Sequence, residues 1–314
     1  MIRGMALYVW RSKSPVPIGP GNGLMTPEIM QERRARLRSL ALKALISGLL
    51  TLPYRWRVPF CGWVVSRVVA PLAGYDKRIT DNLAMVLPNL PPAEVLRLKR
   101  AVPANFGRTL IEIYSGAAFV RRCTAVPLQG SGIAALDEAN AAGRPVILVT
   151  GHFGNYDASR AALIARGYRV GALYRPMDDP GFNAHYVRAI SRIGTPVFPR
   201  GRQGLGAMVR FLRSGGMLGM VMDQSVSHGE KLRFFGHTAM TSLSATELAL
   251  KYNALLVPTY GVRRENGLDF DVIVEAPIPH STPEKMTQAL NDSLESLVRR
   301  HMDQWFWIHR RWKG

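Results

Sequence analysis

The sequence predicts an α/β fold: a largely parallel central sheet with helices on both faces, preceded by an α-helical N-terminal region that associates with membranes. Three observations carry this reading. Short apolar runs such as PVILVT (145–150) and MLGMVM (217–222) are continuous rather than alternating, as in strands buried on both faces. Helical stretches of ten or so residues separate them, which implies βαβ units. The pattern also changes near Pro127: from Glu32 to Cys123 the chain reads as helix.

The first thirty residues place Pro and Gly where a secretory signal needs an apolar core and a cleavage site, so residues 1–30 are expected to form a flexible tail. Residues 31–126 follow as the helical region. Arg33, Arg34, Arg36, Arg38 and Lys43 lead into Leu40, Leu42, Leu45, Ile46, Leu49 and Leu50, and Trp56 and Trp63 come next. Ala44 to Tyr54 is too short an uncharged run to span a bilayer, which takes about 20 apolar residues. A basic, Trp-bearing apolar stretch suits the bilayer interface, and a buried helix with a solvated basic end is the competing reading. Helices are expected from Pro92 and over about Phe106 to Phe119.

From 127 to 314 the α/β part begins with a helix capped by Ser131 and stopped by Gly143. The strand at 145–150 comes next, then a helix from Tyr156 to Arg166. Strand RVGALY, helix Phe182–Ile193, strand TPVF, helix Leu205–Leu212 and strand MLGMVM continue the alternation. A helix from Ser242 to Tyr252, strands ALLVPTYGV and FDVIVEA, and a helix from Pro283 complete it.

Composition narrows the function classes. Apolar residues at 47% and charged residues at 20% exclude wholesale disorder. Lys+Arg 41 against Asp+Glu 22 gives +19, a field that attracts nucleic acid, anionic lipid or an acidic protein. Cys61 and Cys123 form no CxxC or Cys/His cluster, which points to a reducing compartment and to no zinc module. No dinucleotide fingerprint, phosphate loop, zincin helix, nucleophile elbow or nucleic-acid-binding motif is found.

What stands out is VTGHFGNYD (149–157), directly after the most apolar strand. On one helix His152 and Asp157 would point about 140° apart, so they meet only across a turn. If the strand ends near Thr150, the glycines allow a tight loop carrying His152, Asn155 caps the next helix, and Asp157 falls in its first turn. There Asp157 is expected to accept the imidazole N–H and leave the other ring nitrogen free as a base. The alternative is that His152 packs and Asp157 merely favours a helix start; no packing need demands the two flanking glycines.

HFGNYD is similar to the HX4D/E motif of the bacterial lipid A biosynthesis late acyltransferases (lauroyl and myristoyl acyltransferases), a branch of the glycerolipid acyltransferase superfamily. LYRPMDDP (173–180), FPRGRQG (198–204), MVMDQS (220–225), RFFGHTAMTS (233–242), LLVPTYG (255–261) and QWFWIHRRWK (304–313) resemble that family's later blocks, in order. ITDNLAMVLPNLPPAEVLRLKR (79–100) resembles its stretch before the catalytic domain, so the resemblance covers about residues 30 to 313. Two departures are Asp157 where many members carry Glu, and the lack of a clear spanning helix.

The resemblance implies acyl transfer from an acyl carrier protein to a hydroxyl of a lipid A precursor at the cytoplasmic face of the inner membrane. His152 would be the general base and Asp157 its orienting acid, with no covalent intermediate, cofactor or metal. The oxyanion is expected to meet backbone N–H groups after Gly154, or Arg175. Arg175, Arg200, Arg202, Asp223 and Asn155 are the candidate substrate-binding residues. Arg175 has the option of pairing with Asp178 or Asp179, Arg200 and Arg202 of being ordinary loop cations, and Asp223 of orienting a base or an Arg or holding its loop. Trp305, Trp307 and Trp312, with His309, Arg310, Arg311 and Lys313, suit either membrane contact or a core helix end. Expected partners are acyl carrier protein, the lipid A precursor and anionic inner-membrane lipid, and no nucleic acid. Rival readings are an acyltransferase for a lysophospholipid or an aminolipid, and a basic nucleic-acid-binding protein.

Overall fold

The computed structural model describes residues 27–312, so most of the tail expected over 1–30, together with Lys313, lies outside the described residues. The helical region comprises α1 (Pro27–Leu50), α2 (Tyr54–Val64), a π-helical turn (Val65–Val69), α3 (Ala70–Ala73), α4 (Tyr75–Val86), α5 (Pro92–Tyr114) and α6 (Ala117–Thr124). The two helices expected around 92–119 are one, α5, running through Pro103 up to Tyr114. Its break comes at Gly116, whose φ of 51° a side chain would disfavour. Proline costs a helix one hydrogen bond, but Leu98, Val102, Ile111 and Ile113 are buried on both sides of it, and that packing keeps the rod intact.

The α/β part follows as β1 (Leu128–Gln129), α7 (Ile133–Ala141), β2 (Val146–Thr150), α8 (Tyr156–Ala165), β3 (Val170–Tyr174), α9 (Pro180–Ile193), β4 (Val197–Pro199) and α10 (Arg202–Arg213). Next are β5 (Met217–Val221), β6 (Glu230–Phe234), β7 (His237–Thr241), α11 (Ser244–Lys251), β8 (Leu255–Arg263), β9 (Phe270–Val274) and α12 (Pro283–Arg300). The seven-stranded sheet has the order β1-β9-β8-β2-β5-β3-β4, and all its pairings are parallel except β8 with β9. The hairpin β6–β7, a separate two-stranded sheet, breaks the expected alternation between β5 and α11.

Burial on both faces explains why β2 reads as a continuous apolar run. Ile147 and Val149 pack with Leu212, Ala249 and Leu290 of α10, α11 and α12, while Val146 and Leu148 pack with Leu136 and Leu163 of α7 and α8. The helical region shares this interior. Leu98 and Val102 of α5 join Tyr260, Trp305 and Trp307 in one cluster, and Ile111 and Tyr114 join Ala158 and Ala161 in another. Among the described residues no single helix is long and apolar enough to cross a membrane, and one bent pair, Tyr54–Ala73 with Tyr75–Val86 at 84°, passes that test together.

Candidate active site

Parallel strands bring their C-terminal ends to one edge, so the segments after β2, β5, β3 and β4 share it. His152 sits in the turn between β2 and α8, and a dense set of contacts fixes that turn. Gly154 has φ +52°, and a Cβ there would lie 2.0 Å from the Gly261 carbonyl oxygen. Its N–H donates to Gln304 O (2.9 Å), and its carbonyl accepts from Thr109 Oγ1 (2.8 Å) and Asn105 Nδ2 (3.2 Å) of α5. The His152 carbonyl accepts from the N–H of Phe306 (3.0 Å).

The acidic partner of His152 is Asp223, not Asp157. Asp223 lies two residues beyond β5, the strand hydrogen-bonded to β2, and its Oδ1 is 2.6 Å from His152 Nδ1. Its Oδ2 accepts from the His152 backbone N–H (2.7 Å) and from Trp305 Nε1 (2.8 Å). The carboxylate is wholly buried, whereas the His152 side chain keeps 29% of its surface exposed. Burial alone would raise the carboxyl's pKa, but His152's charge and hydrogen bonds outweigh it and hold the group well below the usual carboxylate range. Asp223 therefore stays ionised, and with Nδ1 committed to it, Nε2 is the ring nitrogen left for chemistry.

Asp157 does fall in the first turn of α8, as the spacing predicts, but faces away from His152. Its Oδ1 accepts from Arg160 Nε (2.8 Å), one turn along, and Arg160 also donates to the carbonyls of Gly194 (2.9 Å) and Ile190 (3.0 Å). The pair is buried, and helix geometry turned it toward α9. Asn155 caps α8 as expected, accepting from the Asp157 N–H (3.0 Å), yet it is wholly buried and donates to Glu112 Oε2 (2.8 Å). It supports the turn from within the core.

Three of the backbone N–H groups expected to face an oxyanion are engaged within the protein. The N–H groups of Gly154, Asn155 and Asp157 donate to Gln304 O, Gly261 O and Asn155 Oδ1. Arg175 lies just past β3 and Arg200 and Arg202 just past β4, two and three strand spacings from β2, roughly 10 and 14 Å at the backbone. Arg175 is half exposed and 3.5 Å from Asp178, while Asp179 caps α9 instead. Arg200 and Arg202 are exposed. All three form a cationic rim on the edge that carries His152.

Other contributors come from segments far away in the chain. His309 stands beside His152, ring centroids 4.7 Å apart, and its pKa is pulled down to about 3 by burial and by the charge of His152. His152, Asp223 and His309 offer ligand atoms within 4.8 Å of one another, the donor set a divalent ion takes, although both Asp223 oxygens are engaged. Beneath the turn, Glu112 of α5 forms a bidentate ion pair with Arg263 (2.6 and 2.7 Å), both buried, and so links the helical region to β8. Trp305 and Trp307 are fully buried, so the core reading holds for them and the membrane reading does not.

A family model described as bacterial lipid A biosynthesis acyltransferase matches residues 32–314. The chain is 24% identical over 246 residues to a phosphatidylinositol mannoside acyltransferase of Mycobacterium tuberculosis, covering 76% of this chain and 78% of that protein. It is 23% identical over 180 residues, 56% of each chain, to a lipid A biosynthesis acyltransferase of Haemophilus influenzae. With the model spanning nearly all of its length, the chain belongs to the bacterial lipid A biosynthesis acyltransferase family, whose activity is acyl transfer to lipid acceptors.

Proposed function

We propose that this chain transfers a fatty acyl group from an acyl carrier protein thioester to a hydroxyl of a lipid A precursor, with His152 as general base and Asp223 as its orienting carboxylate. The observation that carries the mechanism is the 2.6 Å contact between His152 Nδ1 and an Asp223 whose other oxygen is gripped by Trp305 and the His152 N–H. A hydroxyl ionises far above neutral pH and needs a base within hydrogen-bond reach when it attacks. Nε2 takes its proton as the oxygen bonds to the thioester carbonyl carbon. The tetrahedral species then collapses, breaking the carbon–sulfur bond, and the departing thiolate receives the proton held on Nε2. Asp223 stabilises the imidazolium between these events. Arg175, Arg200 and Arg202 stand far enough from Nε2 to suit a phosphate on the acceptor better than the oxyanion.

Residues 31–126 supply the attachment in this reading. Leu37, Leu40, Leu45, Trp56, Phe60, Trp63 and Leu72 are exposed on consecutive helices beside exposed Arg36, Arg55 and Arg67, an arrangement suited to the cytoplasmic leaflet of the inner membrane. The +19 charge draws the protein to anionic lipid and to an acidic carrier protein alike.

Mass spectrometry of lipid A from cells lacking the chain tests the proposal: one secondary acyl chain should be missing. Intact lipid A would overturn the acceptor. A second reading, a glycosylated phospholipid as acceptor, is favoured by the mannoside acyltransferase likeness, which covers more of the chain than the lipid A one does. Loss of an acylated glycophospholipid in the same extracts would select it.

A further inference from the structure

Away from the site, α2 and α5 run antiparallel in contact through two glycines. A Cβ on Gly62 would lie 2.8 Å from Ala104 O, and one on Gly107 would lie 2.7 Å from Cys61 O. Ser66 Oγ donates to the Arg100 carbonyl (2.8 Å) one turn further along. Beside this seam a cleft of about 700 Å³ opens, walled by Trp63, Leu96 and Pro59 and carrying the arginines Arg67, Arg97, Arg100 and Arg108.

The arginines are what make the cleft unusual. Arg97 is taken by Glu94 (2.7 Å). Arg67 and Arg100 are exposed and make no side-chain hydrogen bond or ion pair among the described residues. Arg108 has its Nε buried with no partner; burial and the neighbouring Arg263 push its pKa down, and the charges of Glu112 and Asp303 offset them only in part. Guanidinium groups left unpaired around one cleft await an anion, and their forked donors match phosphate oxygens.

The surroundings decide which anion. Trp63 stacks on Phe60 with centroids 6.2 Å apart; both are exposed, and Val68 and Leu72 extend the apolar surface along the same segment. Phosphate beside apolar surface is the chemistry of a phospholipid, and the volume exceeds what a lone phosphate fills. The cleft is also separate from the catalytic edge: Asn105 and Thr109 of α5 bond the Gly154 carbonyl, while Ala104 and Arg108 line the cleft.

We infer that the cleft between α2 and α5, through Arg67, Arg100 and Arg108, binds the phosphate headgroup of an anionic phospholipid at a second lipid site distinct from the catalytic one. Such a site would fix the protein's orientation on the membrane, and it stands whatever acceptor the catalytic site takes.

The test is calorimetric titration of the full chain with monomeric dihexanoyl phosphatidylglycerol. Saturable one-site binding is expected. The double variant Arg67→Gln/Arg100→Gln should weaken it about ten-fold, roughly 1.4 kcal/mol. Arg210→Gln, an exposed arginine on α10, and His152→Ala should leave it unchanged. Circular dichroism checks that the double variant folds, and Arg100→Gln alone should show a smaller loss of the same sign if it does not. Equal affinity for dihexanoyl phosphatidylcholine, displacement by an equal concentration of inorganic phosphate or by acyl carrier protein, or undiminished binding by the variants would each overturn the inference.

Discussion

In the proposed mechanism the chemistry at His152 depends on which ring nitrogen is free, and the contact with Asp223 leaves Nε2. His152→Ala should lower kcat roughly 10²- to 10⁴-fold, with folding and membrane association intact. Asp223→Asn should fall in the same range, because an amide N–H facing Nδ1 favours the wrong tautomer. Steady-state turnover of the purified variants decides both, and near-full activity in either would remove its assigned role. Asp157 belongs to a different class of effect. Asp157→Asn breaks a buried pair and leaves Arg160 uncompensated, which costs about 3–5 kcal/mol, read as a lower midpoint in denaturant. The folded fraction should keep the pH profile of the parent enzyme, an outcome that a catalytic Asp157 would contradict.

His309 supplies a pH dependence with a definite sign. Its folded pKa of about 3 lies below the ordinary 6.5, so between those values the unfolded chain binds the extra proton. Stability contributed by the neutral ring is therefore complete above about 6.5 and declines as pH falls toward 3. His309→Asn should lose less thermal stability than the parent between pH 7 and 4; parallel melting curves that shift equally would refute this.

Among elements, the β2–α8 turn shows how a few backbone groups place the proposed base. Gly154 is held at positive φ against the Gly261 carbonyl, so Gly154→Ala combines backbone strain of about 1–2 kcal/mol with a clash that must move β8 or the turn. We expect a lower melting temperature together with a kcat loss that stabilising conditions do not restore, since His152 moves with the turn. Recovery of full kcat in a stabilising osmolyte would show that only folding was touched. Some of the turn's support comes from α5, through Asn105, Thr109 and Glu112, so the helical region holds the geometry of the His152 turn as well as flanking it.

On the scale of the whole molecule, charge and exposed apolar surface act together. Deleting residues 1–26 should change membrane partition little. Trp56→Ser/Trp63→Ser should release much of the protein, and the remainder should dissociate more readily at high salt as the electrostatic part is screened. Flotation on vesicles with and without phosphatidylglycerol measures this, and unchanged flotation of the double variant would exclude that face. Labelling of a cysteine placed at Ser12 from outside intact cells would show a spanning segment instead.

The sequence by itself determined the alternation of strands and helices apart from the β6–β7 hairpin, the buried β2, the Asn155 cap and the position of His152 at a strand's C-terminal end. These follow from local periodicity, capping chemistry and glycine placement, which act within a few residues. It also carried Asp223 as a candidate while leaving its task open. Only the tertiary structure decided that Asp223 rather than Asp157 holds the imidazole, because β2 and β5 become neighbours across 71 residues of chain while Asp157 is turned away by its own helix. The same reason hid the role of Trp305, and Glu112, Arg263 and the α2–α5 cleft altogether. Each is defined by which elements pack together, and that is set by burial of the whole chain at once, not by the spacing within any one segment.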